Sequence, residues 1–80
     1  LSNCEMTEVD LSEAELQGAN LARSTMPGSN LSGIKGDGAS FRFCDVSESK
    51  LDGASLVGSN LSCCDFKGAS MKDCDLRFAD

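Results

Sequence analysis

The chain has 80 residues, with 7 basic and 13 acidic side chains and a net charge of −6. This length allows at most one small domain, and we expect residues 1–80 to form a single domain that belongs to a longer chain. The negative charge disfavours binding to nucleic-acid phosphates or to an anionic membrane surface. The absence of His excludes His-based catalytic triads and His metal ligands. No apolar run approaches the roughly 20 residues of a membrane span.

Large apolar residues recur at every fifth position from Leu1, and Gly36 is the one exception among sixteen such centres. The residue two positions before each centre is small except at Val9 and Ile34, and seven of the eight glycines lie two positions after a centre. A period of five gives no continuous face on a helix or on a flat strand. A chain that bends once per repeat would instead direct every centre inward. The segment Met26-Pro27-Gly28-Ser29 carries Pro and Gly where a type II turn prefers them.

Four segments match or nearly match the motif Ala-Asp/Asn-Leu-X-X: 14–18, 19–23, 29–33 and 59–63. Through them the chain resembles the pentapeptide-repeat family along its entire length. The resemblance implies an all-β fold, a right-handed quadrilateral parallel β-helix (solenoid) of about four coils, with four repeats in each coil. It also implies that each apolar centre and the small residue two positions before it point inward. The expected structural core contains Leu11, Leu16, Leu21, Leu31, Phe41, Leu51, Leu56, Leu61, Phe66 and Leu76.

The repeat around Gly36 departs from this pattern twice, because Ile34 also stands where a small residue is expected. One interpretation is a volume exchange, in which Ile34 fills the space that Gly36 vacates. The other is a local break that loosens the second coil. If the exchange holds, Ile34→Ala should cost about 2–5 kcal/mol.

Two outward surfaces are candidates for interaction if a coil contains four repeats. One face has a net charge of −4, with five acids against Lys67: Glu5, Glu8, Asp45, Glu48 and Asp65. Another face carries Arg23 and Arg42, with Phe43 and Cys63 in one outward column. An outward Phe at a position that is usually Gly or polar suggests a small contact patch. The alternative for both surfaces is an ordinary solvated exterior.

The five cysteines are odd in number and form no CxxC motif, which disfavours zinc-ribbon and thioredoxin-like sites. We interpret them as reduced, small apolar residues, which favours a reducing compartment such as the cytoplasm. Cys44 and Cys64 fall in one inward column, where a disulfide is possible in distance but buried thiols are expected. With no His to activate a thiol, we expect no enzyme activity, no catalytic or metal-binding residue and no cofactor.

The expected function is a non-enzymatic module for protein–protein interaction or scaffolding, which presents ladders of surface side chains to an unidentified protein. The alternative comes from the resemblance: some family members resemble duplex DNA and bind type II topoisomerases such as DNA gyrase. The acidic face would then act as a mimic that inhibits such an enzyme. We expect no direct nucleic-acid binding and no membrane partner. Because neither end shows an obvious cap, end-to-end self-association through the terminal coils is a further expectation.

Overall fold

The computed structural model describes residues 2–80, and these residues form a stack of four-sided coils. They contain no helix, hence none able to cross a membrane, and no strand longer than one residue. The regular structure consists of isolated parallel bridges, such as Glu5 with Thr25 and Thr25 with Asp45. Every bridge joins a residue to its equivalent four repeats further along the chain, so each coil contains four repeats, as the resemblance implied. The β structure is one residue wide on each side because a turn follows almost at once.

Each repeat bends at the two residues that follow its apolar centre. In most repeats the amide three residues after the centre donates to the carbonyl of the centre, as from Ala14 to Leu11 at 3.0 Å. All sixteen residues at the second position of the bend have a positive φ, between 55° and 72°. Nine of them are not glycine, Phe43 and Cys63 among them. A non-glycine residue in this region costs roughly 1–2 kcal/mol, so the inter-coil hydrogen bonds impose the bend where the sequence does not favour it.

The polar residue before each centre has a local structural role. The side-chain oxygen of Asn20 accepts a hydrogen bond from the amide of Ala22 at 3.0 Å, and Asn30 and Asn60 make the same contact within their own repeats. This Asx-turn geometry satisfies an amide that the inter-coil ladder does not use. The frequent Asp and Asn at this position therefore stabilise the corners.

In two repeats where the residue before the centre is Ser, the corner amide has no Asp or Asn oxygen at that position to accept its hydrogen bond. An aspartate of the preceding coil accepts the hydrogen bond instead. Asp37 accepts hydrogen bonds from the amide of Val57 and the hydroxyl of Ser55 in the next coil. Asp52 does the same for the amide of Lys72 and the hydroxyl of Ser70. The corner amide is thus satisfied from the preceding coil, which also ties adjacent coils together.

The side chains in the interior are those that the repeat spacing predicted, with one exception. Among the predicted core residues, burial is complete or nearly so in the middle coils, at Leu21, Leu31, Phe41, Leu51 and Leu56. Partial burial is found nearer the two ends, at Leu11, Leu16, Leu61 and Phe66. The prediction of Leu76 as a core residue was wrong, because this residue is 43% exposed. Leu76 lies in the last coil described, and within residues 2–80 no coil packs on its outer side.

The small residues of the interior do more than leave room. The hydroxyl of Ser49 donates to the carbonyl of Met26 in the preceding coil at 2.9 Å and accepts the amide of Ser29 at 3.0 Å. The thiol of Cys44 donates in the same way to the carbonyl of Leu21 at 2.9 Å. Ser and Cys are suited to this column because they are small and can pair with a buried carbonyl.

The second coil remains intact around Gly36, contrary to a local break. The amide of Gly36 donates to the carbonyl of Ser55 at 2.8 Å, and Ile34 is fully buried. The atoms nearest to a Cβ placed on Gly36 belong to Leu56 at 3.0 Å and Phe41 at 3.5 Å. The vacated space is therefore occupied by these two side chains, while Ile34 supplies bulk at its own position in the coil.

Candidate interaction surface

Phe43 occupies an exposed corner and lies close to two arginines. The guanidinium carbon of Arg23 is 5.6 Å from the centre of the Phe43 ring, and that of Arg42 is 5.4 Å away. We call these three residues the basic corner. Both distances fall within the range of cation–π contacts, each of which contributes about 0.5–1 kcal/mol at an exposed site. Phe43 as a whole residue nevertheless remains 46% exposed.

The register of the coils explains why these side chains meet. Arg23 and Phe43 stand at equivalent corner positions of successive coils, and both have a positive φ. Arg42 precedes Phe43 in the same turn. Cys63 follows in the same column one coil further on and is exposed. The structure thus places Phe43 and Cys63 in the predicted column, and it adds the two guanidinium contacts.

An open groove of about 380 Å³ lies beside the basic corner. Its wall includes all three residues of the corner together with Asn3, Asn20 and Ser40. The side-chain oxygen of Asn20 already accepts the amide of Ala22, which leaves its NH₂ group as a donor. The groove therefore combines guanidinium and amide donors with one aromatic face.

Neither arginine of the basic corner forms an ion pair within residues 2–80. The ion pairs found there join Lys35 to Glu13 and Arg77 to Asp75. The corner stays unpaired although the chain has 13 acidic side chains against 7 basic ones. Within residues 2–80, the contacts found for both guanidinium groups are therefore those with the Phe43 ring.

The acidic residues predicted as an interaction surface divide between two neighbouring columns. The side contains Glu5, Thr25, Asp45 and Asp65, joined by bridges, and we call it the acidic column. The adjoining corner contains Glu8 and Glu48, whose side chains lie over the glycine of the next coil. A Cβ on Gly28 would be 3.5 Å from Glu8, and one on Gly68 would be within 2.7 Å of the Glu48 carboxylate.

Part of this acidic surface has a structural role. The carboxylate of Asp45 accepts hydrogen bonds from the hydroxyl of Ser47 at 2.6 Å and from its amide at 3.0 Å. These bonds lower the pKa of Asp45. The carboxylate of Asp65 accepts the amide of Lys67 at 3.0 Å. Two of the five predicted acids thus stabilise their own turns.

Three thiols, those of Cys44, Cys64 and Cys74, each donate to a backbone carbonyl of the preceding coil, as structural cysteines do. The thiol of Cys64 donates to the carbonyl of Phe41, and its pKa is raised by the contact with the Cys44 thiol and by burial. Burial also raises the pKa of Cys74. A raised pKa leaves little thiolate at neutral pH, so the thiols of Cys64 and Cys74 are poor nucleophiles. Among residues 2–80, no three Cys, Asp or Glu side chains gather into a group that could hold a metal ion.

The comparisons with known proteins agree with this architecture. No curated protein matches the chain. A pentapeptide repeat protein from the thylakoid lumen of Arabidopsis thaliana superposes with a TM-score of 0.95 at 24% identity, over 98% of this chain and 54% of that one. HetL, a pentapeptide repeat protein involved in heterocyst differentiation regulation in Nostoc, superposes with a TM-score of 0.54 at 29% identity. The superposition covers 94% of this chain and 39% of HetL. The chain thus spans about half the length of the Arabidopsis protein and less of HetL.

The sequence profile of pentapeptide repeats matches eight copies over residues 1–33 and 39–77. The internal gap in the match, residues 34–38, contains two of the deviations from the pattern, Ile34 and Gly36. The match covers most of the chain, and both solved relatives carry the same repeat. The chain therefore belongs to the pentapeptide repeat family.

Proposed function

We propose that this chain is a non-enzymatic protein-interaction module, in which a right-handed coil stack holds the basic corner as the contact surface. The observation that carries this proposal is Phe43, an aromatic residue that is 46% exposed at a turn position that is Gly in seven other repeats. Aromatic and Arg side chains are enriched at the energetic centres of protein interfaces. The corner combines one Phe with two Arg within 5.6 Å.

The coil stack supports such a role because it fixes side chains in columns. Successive coils place equivalent residues about 4.8 Å apart, and each corner is held by bonds to the coils on either side. The amide of Phe43 donates to the carbonyl of Ser62 at 3.0 Å, and the amide of Arg23 donates to that of Arg42 at 2.8 Å. A partner would meet a surface that needs little reorganisation, which lowers the entropic cost of binding.

The alternative of a DNA mimic is less well supported by the geometry. A duplex of similar length carries about eleven charges in about 19 Å. The acidic column and its adjoining corner hold five acids, the column is interrupted by Thr25, and Asp45 is already bound to Ser47. We therefore propose the interaction module. Inhibition of DNA supercoiling by gyrase at micromolar concentrations of the chain would favour the mimic instead.

We also propose a reducing compartment such as the cytoplasm. The support is that all five cysteines are free thiols, one of them exposed. The Arabidopsis protein is from the thylakoid lumen, so membership of the family does not by itself fix the location. Alkylation of thiols in the native host before lysis, followed by mass measurement, tests this part: five alkylated cysteines agree with it, and oxidised Cys63 argues against it.

The interaction proposal can be tested by comparing two exposed phenylalanines. Phe43 and Phe78 both occupy corner positions with φ near 60°, but the contacts with Arg are made by Phe43. Wild type, Phe43→Ser and Phe78→Ser proteins would be used as baits in quantitative affinity purification from the native host. We expect partners that are lost with Phe43→Ser and kept with Phe78→Ser. Identical partner sets for wild type and Phe43→Ser would refute the basic corner as the contact surface.

A further inference from the structure

We propose, on the basis of the interaction module above, that the basic corner recognises an acidic segment of a partner protein. Two carboxylates of the segment pair with Arg23 and Arg42, and an apolar side chain of the same segment packs on the exposed part of the Phe43 ring. A planar guanidinium binds a carboxylate well, because two parallel N–H groups fit the two oxygens.

The first support is the contrast with Arg77. That guanidinium is neutralised within its own repeat, since its Nε and Nη2 atoms donate to the carboxylate of Asp75 at 2.8–3.1 Å. Arg23 and Arg42 have no such partner within residues 2–80, although acids outnumber bases in the chain. Within residues 2–80, no carboxylate therefore competes with a ligand for these two guanidinium groups.

The second support is the arrangement of the two side chains. Both guanidinium groups contact one ring, at 5.4 and 5.6 Å from its centre. An Arg side chain that is free in solution loses considerable rotamer entropy when it is fixed by a ligand. Here the ring already restricts both side chains, so binding of a dicarboxylate costs less.

The third support is the composition of the groove. The polar groups beside the arginines include the amide side chain of Asn20, whose oxygen is occupied by Ala22 and whose NH₂ group remains a donor. Asn3 and Ser40 also line the groove and can donate to a peptide carbonyl or a second carboxylate. The volume of about 380 Å³ accommodates a few residues of an extended peptide.

An acidic peptide fits this surface better than a nucleic acid. A protein that binds a nucleic-acid backbone typically contacts about 6–10 phosphates, whereas this corner supplies two cations. The net charge of −6 also repels a long polyanion. The acidic column begins two residues after Phe43, at Asp45, but the groove is lined by Asn20 and Ser40 on the other side of the corner, where a short segment with two or three carboxylates can reach the arginines.

The test uses NMR spectroscopy of the ¹⁵N-labelled protein, observing the Nε–Hε signals of the arginines. The probe is the blocked dipeptide acetyl-Glu-Glu-amide, with acetyl-Gln-Gln-amide as the neutral control and a thymidine tetranucleotide as the competing class. We expect saturable shifts of Arg23 and Arg42 with a millimolar Kd for the acidic dipeptide. Arg77 serves as the internal control and should not shift, because it is already paired with Asp75.

Two variants make the test specific. Arg42→Gln should weaken the response of Arg23 at least tenfold, whereas Lys67→Gln, a cation beside the acidic column, should leave it unchanged. Equal shifts with the Glu and Gln dipeptides, or stronger saturable shifts with the nucleotide, would overturn the inference.

The two proposals fail in different ways. If Phe43→Ser loses partners but the acidic dipeptide produces no saturable shift, the module stands and the acidic-segment inference is wrong. If the dipeptide binds but Phe43→Ser keeps every partner, the corner binds carboxylates and the proposed contact function is wrong.

Discussion

Ile34→Ala should strongly destabilise the second coil. Ile34 is fully buried, and the equivalent positions in the neighbouring coils are Ala14 and Ala54, which are too small to fill a void. The backbone is also held in place, because the carbonyl of Ile34 accepts the amide of Ser55 at 2.9 Å. The site can therefore relax very little.

The magnitude follows from the atoms removed. The lost carbons correspond to about 2.4 kcal/mol of transfer free energy at about 0.8 kcal/mol per buried carbon, and an unfilled cavity of about 75 Å³ adds about 1.8 kcal/mol. We expect a loss of about 4 kcal/mol in the free energy of unfolding, which is a large part of the stability of a domain of this size.

The measurement is urea unfolding followed by far-UV circular dichroism, with an unchanged slope as the sign of an unchanged transition. Ile34→Val is the matched control and should lose only about 0.5–1.5 kcal/mol. A loss below about 1 kcal/mol for Ile34→Ala would refute the reasoning, because it would mean that the second coil collapses freely around the void.

A double variant separates the volume exchange from simple burial. Leu at position 36 would meet Leu56 and Phe41, so Gly36→Leu alone should be destabilising. If Ile34 compensates for Gly36, adding Ile34→Ala to Gly36→Leu should restore part of the stability, so that the two losses are not additive. Additive losses would show that Ile34 and Gly36 are independent and that Leu56 and Phe41 alone compensate for the missing side chain.

Three further predictions concern the turns, the pH dependence of stability and the accessibility of the cysteines. In Gly53→Ala the new Cβ meets no atom within 4 Å, but the residue must keep a φ of 72°. Urea unfolding should therefore show a loss of about 1 kcal/mol in the free energy of unfolding. No loss would mean that the turn adopts another geometry. The pKa of Asp52 is lowered by hydrogen bonds from Ser70 and the Lys72 amide, so its contribution is present above about pH 5 and is lost as the pH falls below about 4. Asp52→Asn keeps the accepting oxygen and should therefore lose less stability than wild type on acidification; equal acid sensitivity would contradict this role. Iodoacetamide should label exposed Cys63 much faster than buried Cys44, as read by peptide mass spectrometry, and equal rates would contradict the burial.

The inward phase of the repeat could be predicted because it depends on spacing alone. Leu21, Leu31 and Leu56 are fully buried, as their positions required. The same spacing could not predict the exposure of Leu76, because burial of a centre needs a coil on both sides. It also could not show that all sixteen corners adopt a positive φ, since nine of them carry side chains that disfavour this conformation.

The basic corner could be predicted only in part. A coil of four repeats assigns Arg23, Arg42 and Phe43 to one face, but the approach of both guanidinium groups to a single ring depends on side-chain rotamers. For the acidic residues, the sequence did not reveal a structural role. Charge counting placed Asp45 on an interaction surface, whereas its contact with Ser47 gives it a role in the turn.

The order of residues alone determined which side chains face the interior, because a bend in every repeat returns each fifth residue to the same side. The number of repeats in a coil was decided only by the tertiary structure, through bridges that join residues four repeats apart. That register depends on hydrogen bonds between distant parts of the chain. It places Phe43 directly above Arg23, and so it creates a surface that no local stretch of sequence contains.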